Sequence, residues 1–219
     1  MKALVFTSSY NRPYMLRQCV LSVKNQSVED ITHAINITSE NPLNSITLIG
    51  DLINEDSNIT ITKNNHTHFN NMAAIKSIDD YDCHDVFIKM DDDDVYMADY
   101  VKNILEFFEA NPNVDIVSSE IAFQLNGIDD VYLVNAKNLG GNRNVDYKMP
   151  MTFAFNKKAL DAIINLEEKD LFGGDDLTWR MIWDAHGLKH ATVDNAEQII
   201  WHIHGKNDST ASFLKEKGA

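Results

Sequence analysis

Four consecutive aspartates, Asp91 to Asp94, follow the apolar run DVFIKM at positions 85–90. A buried strand that runs straight into four carboxylates needs positive charge beside it. Oxygen-rich clusters of this kind suit hard divalent cations such as Mg²⁺ or Mn²⁺. A solvated acidic turn is the plainer alternative for a lone run of aspartates. An EF-hand is excluded by spacing: Val95 falls at the fifth loop position, Tyr96 where glycine is needed, and Lys102 where the bidentate glutamate is needed. A second acidic pair, Asp175 and Asp176, follows Gly173 and Gly174. Aspartate at a helix start caps free N–H groups and suits the helix dipole. In a cleft, one of the pair could instead act as a base, and the two roles are compatible if one residue caps while the other faces substrate. A third cluster, Trp201-His202-Ile203-His204-Gly205, places both histidines on one face of a strand. They could share a metal, or one could be a ligand while the other packs.

These groups must be held by regular elements. LVFT (4–7) reads as a strand. Pro13 suits the first turn of a helix, on which Leu16, Cys19, Val20 and Val23 recur with helical period. THAINIT (32–38) and the region from Ile46 to Thr62, with ITLIG and NITIT, supply further strand candidates. A helix is expected over about 69–78, a buried strand over 85–90, and a helix marked by Val101, Ile104, Leu105 and Phe108 that ends at Asn111-Pro112. VDIVSS, IAFQL, VYLVN and MTFAF read as short strands. Helices follow over about 157–164 and 175–186, then a last strand, EQIIWHIHG (197–205), and a polar tail. The alternating front half predicts an α/β fold: a mostly parallel central sheet flanked by helices, Rossmann-like, with ligands at the carboxyl ends of the strands. The residues after LVFT and DVFIKM then meet in one crevice.

The chain has 219 residues, enough for one sizeable core, and 44% of them are hydrophobic. A net charge of -14, from 33 acidic and 19 basic residues, repels phosphate backbones and argues against nucleic acid as a partner. An anionic ligand remains compatible if a metal ion reverses the sign locally. Two cysteines, Cys19 and Cys83, make no disulfide framework and suit a reducing compartment. The opening apolar stretch breaks at Thr7, too early for a signal peptide, and no apolar run approaches a membrane span. Asn-x-Ser/Thr triplets such as Asn58-Ile59-Thr60 are then a by-product of an Asn-rich composition. The expectation is a soluble cytoplasmic protein, working free or at the membrane face.

Taken in order, the motifs resemble those of GT-A glycosyltransferases of the family-2 type. VFTSSYNRPYMLRQCVLSVKNQS is similar to that family's first strand, loop and helix. FIKMDDDDVY resembles its D-x-D motif, FGGDDLTWRM its acidic acceptor-side motif, and IIWHIHGKNDS its C-terminal segment. MTFAFNKKALDAI resembles the strand and helix before the acceptor motif. The resemblance covers nearly the whole chain and implies a single GT-A domain over 1–219. Its nucleotide-binding half would span about 1–97 and its acceptor half about 98–205, with a flexible tail over 206–219.

By position, the resemblance implies that Ser8, Tyr10 and Arg12 lie along the nucleotide and that Asp91 or Asp92 contacts the ribose side. It implies that Asp93 binds Mn²⁺ or Mg²⁺, with His204 as first and His202 as second choice of metal histidine. Asp176 would be the catalytic base and Asp175 its neighbour in the place usually held by glutamate. The reaction implied is inverting transfer of a sugar from a nucleotide-sugar donor, UDP-linked by default, to a hydroxyl of a glycan or glycoconjugate. A tail folded over the donor would exclude water. One departure stands out: the aspartate that usually recognises the base after the second strand is displaced or absent in Ile35–Asn41, which leaves the nucleotide open. A partner domain in a larger enzyme is compatible with the chain's length.

Two rivals follow from the same residues. A haloacid-dehalogenase-like phosphatase would use Asp91 as nucleophile and Asp93 as acid, but it leaves SSYNRP unexplained and needs an apolar strand where KDLFGG stands. A non-catalytic nucleotide-sugar-binding domain would share the fold without turnover. A diguanylate cyclase reading of GGDD fails because LTWRMIWDAHG continues as a helix.

Overall fold

The computed structural model describes residues 1–38, 42–54, 58–64, 71–119, 121–126, 130–135, 150–166, 170 and 175–203. Its centre is a seven-stranded sheet in the order β10-β6-β9-β4-β1-β2-β3. The first four strands in sequence are β1 (Ala3–Tyr10), β2 (Ile31–Thr38), β3 (Ile59–Asn64) and β4 (Val86–Lys89), all mutually parallel where they pair. β6 (Ile116–Ser118) and β10 (His190–Thr192) pair in parallel at the far edge. β9 (Ala154–Asn156) runs antiparallel between β4 and β6. The sheet is therefore mostly parallel, as the alternating pattern of the front half predicts.

Helices cover both faces because the strands are apolar on both. Ala3 and Val5 of β1, with Val86 and Ile88 of β4, pack on one side against α1 (Pro13–Lys24) and α4 (Tyr100–Ala110). Ile35 and Ile37 of β2 continue that side beneath α1 and α2 (Pro42–Asn54). On the opposite side, Leu4, Phe6 and Phe87 pack with α3 (Asn71–Lys76), α5 (Lys157–Ile163) and α6 (Asp175–Ala185). Trp179 and Trp183 of α6 are fully buried there, and the Trp183 indole N–H donates to Ala159 O at 2.9 Å. The buried clusters on both sides draw on residues before and after position 97, so the two halves expected from sequence share one core.

Three features depart from the sequence expectations. Ile46–Gly50 is helical, inside α2, and not a strand. Pro42 opens the helix, and Ser45, Ile49 and Leu52 are buried at helical spacing beneath it. A second sheet, in the order β5-β11-β7-β8, joins β5 (Val95–Tyr96), β7 (Ile121–Asn126), β8 (Asp130–Asn135) and β11 (Ile199–Ile203). β5 follows the aspartate run directly, so this small sheet ties that loop to the last described strand. The expected helix over about 69–78 is the shorter α3, and Phe69 lies outside the described residues.

Candidate active site

The site forms where β1 and β4 end side by side. Their register pairs Phe6 with Lys89, and the Met90 N–H continues the ladder to Phe6 O at 3.1 Å. Lys89 N donates to Phe153 O at 2.8 Å on the other flank. β1 runs on to Ser8, Ser9 and Tyr10 while β4 turns into Asp91–Asp94. Asn11 then takes the left-handed conformation (φ 53), which asparagine tolerates, and the chain turns so that Arg12 meets the aspartates.

The turn of aspartates is held from several directions. The Asp91 N–H donates to the Tyr96 hydroxyl at 2.8 Å, and that hydroxyl donates to Met151 O at 3.1 Å. Burial, with Asp94 and Asp91 nearby, holds the Tyr96 phenol well above its ordinary pKa, so it stays a donor. The His202 backbone N–H donates to Asp94 Oδ1 at 3.0 Å, which fastens β11 to the turn.

Arg12 pairs with two of the four carboxylates. Its Nη2 lies 2.8 Å from Asp92 Oδ1, an ion-pair contact without a well-directed hydrogen bond, and its Nη1 donates to Asp93 Oδ2. Burial raises Asp92 well above the usual carboxylate range, Arg12 pulls it back, and Asp93 pushes it up again. Asp94 is raised by burial and then by Asp93 and Asp91. The hydroxyls of Ser8 and Ser9 are buried in the same region, and Ser9 lies against Asp92, whose pKa it draws down.

Asp176 reaches this cluster from α6. Lys89 Nζ lies 2.9 Å from Asp91 Oδ1 and 3.2 Å from Asp176 Oδ1, so one ammonium touches both carboxylates. Burial raises the Asp176 pKa against the pull of Lys89, and Asp91 raises it further. A carboxylate so raised is a stronger proton acceptor than an ordinary one. Burial works against the Lys89 ammonium, but Asp176 and Asp91 outweigh it and hold its pKa above the ordinary lysine value.

The structure thus brings together Arg12, Asp91, Asp92, Asp93 and Asp176, with Ser8 and Tyr10 on the adjoining strand end. Asp175 opens α6, but its side chain lies outside the described residues, as do Gly173, Gly174 and the segment 204–219 with His204. His202 joins the site through its backbone N–H to Asp94. At the end of β2, Asn36 donates to Thr38 Oγ1 at 3.1 Å and accepts from Thr62, while Ser39 to Asn41 lie outside the described residues. Lys89, Asp94 and Tyr96 are the members to which the sequence alone assigns no individual role. A lysine closing an apolar strand was the available signal.

Whether a divalent cation suits the site turns on its donors. Asp91 and Asp93 are its more open paired carboxylates on the turn, with side chains 33% and 10% exposed against 0% for Asp92. Among the described residues, no three His, Cys, Asp or Glu side chains form a metal-binding group. An ion of the Mg²⁺ kind does not require one, because one or two carboxylates, substrate phosphates and water complete its shell. The described ion pairs bring two cations, Arg12 and Lys89, to Asp91, Asp92, Asp93 and Asp176, with Asp94 adjoining. That excess of hard oxygen donors fits a divalent cation.

Comparisons with known proteins agree with this fold. The S. aureus TarS 1–349 structure in complex with UDP-GlcNAc superposes with a TM-score of 0.70 at 12% identity, covering 96% of this chain and 61% of that one. The mannosyltransferase PcManGT from Pyrobaculum calidifontis, in complex with GDP-Man and Mn²⁺, gives 0.66 at 12% identity, covering 98% and 60%. The chain therefore spans about three-fifths of the length of these structures. A comparison with curated proteins finds no match. Among the described residues, no helix is long and apolar enough to cross a membrane. The sequence pattern of glycosyl transferase family 2 matches residues 4–163, from β1 through α5. It takes in the SSYNRP loop that a phosphatase reading leaves unexplained. With well over half of its length matched, the chain belongs to glycosyl transferase family 2.

Proposed function

We propose that this domain transfers a sugar from a nucleoside-diphosphate donor to a hydroxyl of a glycan or glycoconjugate, with inversion, and that Asp176 is the base. The observation that carries the proposal is the meeting of the β1 loop, the aspartate turn after β4 and the start of α6 within one ion-paired cluster. Donor contacts and a proton acceptor then lie within reach of one reacting centre.

In this reading Ser8, Tyr10 and Arg12 line the nucleotide, and Asp91 and Asp92 meet its ribose side. Asp93 would hold Mn²⁺ or Mg²⁺, with His204 or His202 as a further ligand. Bound there, the ion would stabilise charge on the leaving diphosphate. The acceptor oxygen forms a bond to the anomeric carbon as the bond from that carbon to the diphosphate oxygen breaks. Asp176 takes the hydroxyl proton, and the nucleoside diphosphate leaves with the bonding pair. A UDP-sugar is the first donor to try and a GDP-sugar the second, since the two solved relatives carry these. The chain's share of their length supports a further domain in the whole protein, and the 206–219 tail is proposed to close over the donor. A cytoplasmic location, free or at the membrane face, belongs to the same proposal.

Calorimetric titration of UDP and GDP with and without Mn²⁺ tests it. Binding of at least one nucleotide should depend on the metal, and slow hydrolysis of its sugar should release the nucleoside diphosphate. Equal affinity with and without metal for both would remove the metal role of Asp93. Metal-dependent binding without any turnover would favour the non-catalytic reading.

A further inference from the structure

Lys89 lies between the donor-side and acceptor-side carboxylates, on the buried end of the central strand β4. Its side chain is only 5% exposed. The ammonium meets both oxygens of each partner: Asp91 at 2.9 and 3.1 Å, Asp176 at 3.2 and 3.4 Å. The ammonium donates to Oδ2 of each carboxylate, and each Oδ1 lies at ion-pair distance. Two residues earlier on the same strand face, Phe87 packs among Phe155, Trp179 and Trp183. A lysine continuing such a face is expensive unless paired, and pairing a buried lysine adds little net stability over an apolar replacement.

The consequence of the triad is geometric. Trp179 and Trp183 anchor α6 to the core one and two turns beyond Asp176, and these three residues share a helix face. The tryptophans fix the helix, and Lys89 fixes its first turn. The same ammonium grips Asp91, whose backbone is pinned by Tyr96. The spacing between the two halves of the site therefore runs through one side chain.

We infer that Lys89 is a positioning residue for the transfer step, holding the Asp176 carboxylate at a set distance from donor-side Asp91 and acting through Asp176. The inference rests on the function proposed above. It is tested with Lys89→Met, Lys89→Arg, Asp176→Asn and the double variant Lys89→Met/Asp176→Asn. Two quantities are read with Mn²⁺ present: nucleoside-diphosphate release from UDP-GlcNAc and GDP-mannose, and calorimetric affinity for UDP and GDP.

Lys89→Met should lose about 10²-fold in release, at the lower end of a missing base, with a much smaller change in nucleotide affinity. Lys89→Arg should recover part of the rate. The double variant should be no slower than Asp176→Asn alone, because a strap cannot matter once the group it holds is gone. It also carries one fewer buried carboxylate, so it remains informative if Lys89→Met does not fold. Additive losses in the double variant, or nucleotide affinity that falls in step with rate, would overturn the inference. If Asp176→Asn is dead while Lys89→Met keeps the parental rate, the inference falls alone. A fully active Asp176→Asn, or a parent that turns over neither donor, removes the proposed mechanism and this inference together.

Discussion

The two ends of the parallel strands bury polar groups by opposite means. At the carboxyl ends, Arg12 pairs with Asp92 and Asp93 and Lys89 with Asp91 and Asp176, while Asp94 adjoins them. At the amino ends, His33 of β2 is 2% exposed on the wall of a cavity of about 250 Å³, with no carboxylate paired to its ring. Its Nε2 lies 3.0 Å from Thr7 Oγ1, and its Nδ1 has no hydrogen-bond partner among the described residues. Burial alone pushes its pKa down to about 3, so it is neutral. One scaffold thus buries carboxylates beside cations at one end and a neutral ring at the other. That cavity lies at the amino ends, while the paired charges lie at the other. In this fold the density of paired, shifted carboxylates marks the candidate site.

That contrast can be broken by mutation. Asp176→Asn keeps shape and an oxygen for the Lys89 ammonium but cannot accept a proton. Turnover should fall about 10²–10⁴-fold while nucleotide affinity and melting temperature stay near parental. Asp175→Asn, the neighbouring control, should cost less. Arg12→Met removes the countercharge from buried Asp92. Stability should fall by about 3–5 kcal/mol in a denaturant titration, and adding Asp92→Asn should recover most of the loss. If Arg12→Met alone is as stable as the parent, the carboxyl-end cluster does not depend on its ion pairs.

The smallest effect is expected at His33. Its folded pKa lies below the unfolded value, so the unfolded chain binds more protons between about pH 3 and pH 6.5. The stability from His33 is therefore present above about pH 6.5 and is lost as pH falls toward 3. His33→Gln should flatten that acid-side slope, worth on the order of a few kcal/mol at most, and leave nucleotide binding untouched. Melting curves of both proteins between pH 4 and pH 7 decide it; parallel curves would show that His33 does not titrate across folding.

Much of the architecture was legible because it follows from local periodicity. Leu16, Cys19, Val20 and Val23 announce α1, and Val101, Ile104, Leu105 and Phe108 announce α4; each set is buried. Ile46–Gly50 misled because a short apolar run satisfies either period. Only the burial of Ser45, Ile49 and Leu52 together distinguishes helix from strand. β5 and β10 are two and three residues long, too short to carry a period of their own.

For the site, the chain by itself determined which groups are available: a carboxylate run at a strand end, an acidic pair at a helix start, and an arginine in the loop after the first strand. Those follow from residue type and local spacing. Only the tertiary structure decided which of them touch. Lys89 and Asp176 are 87 positions apart, and Arg12 and Asp93 are 81. Such contacts depend on which strands become neighbours in the sheet and which helix packs over them. The same packing sets the burial that raises Asp92, Asp94 and Asp176. Desolvation is a property of the assembled core, and no stretch of sequence read alone contains it.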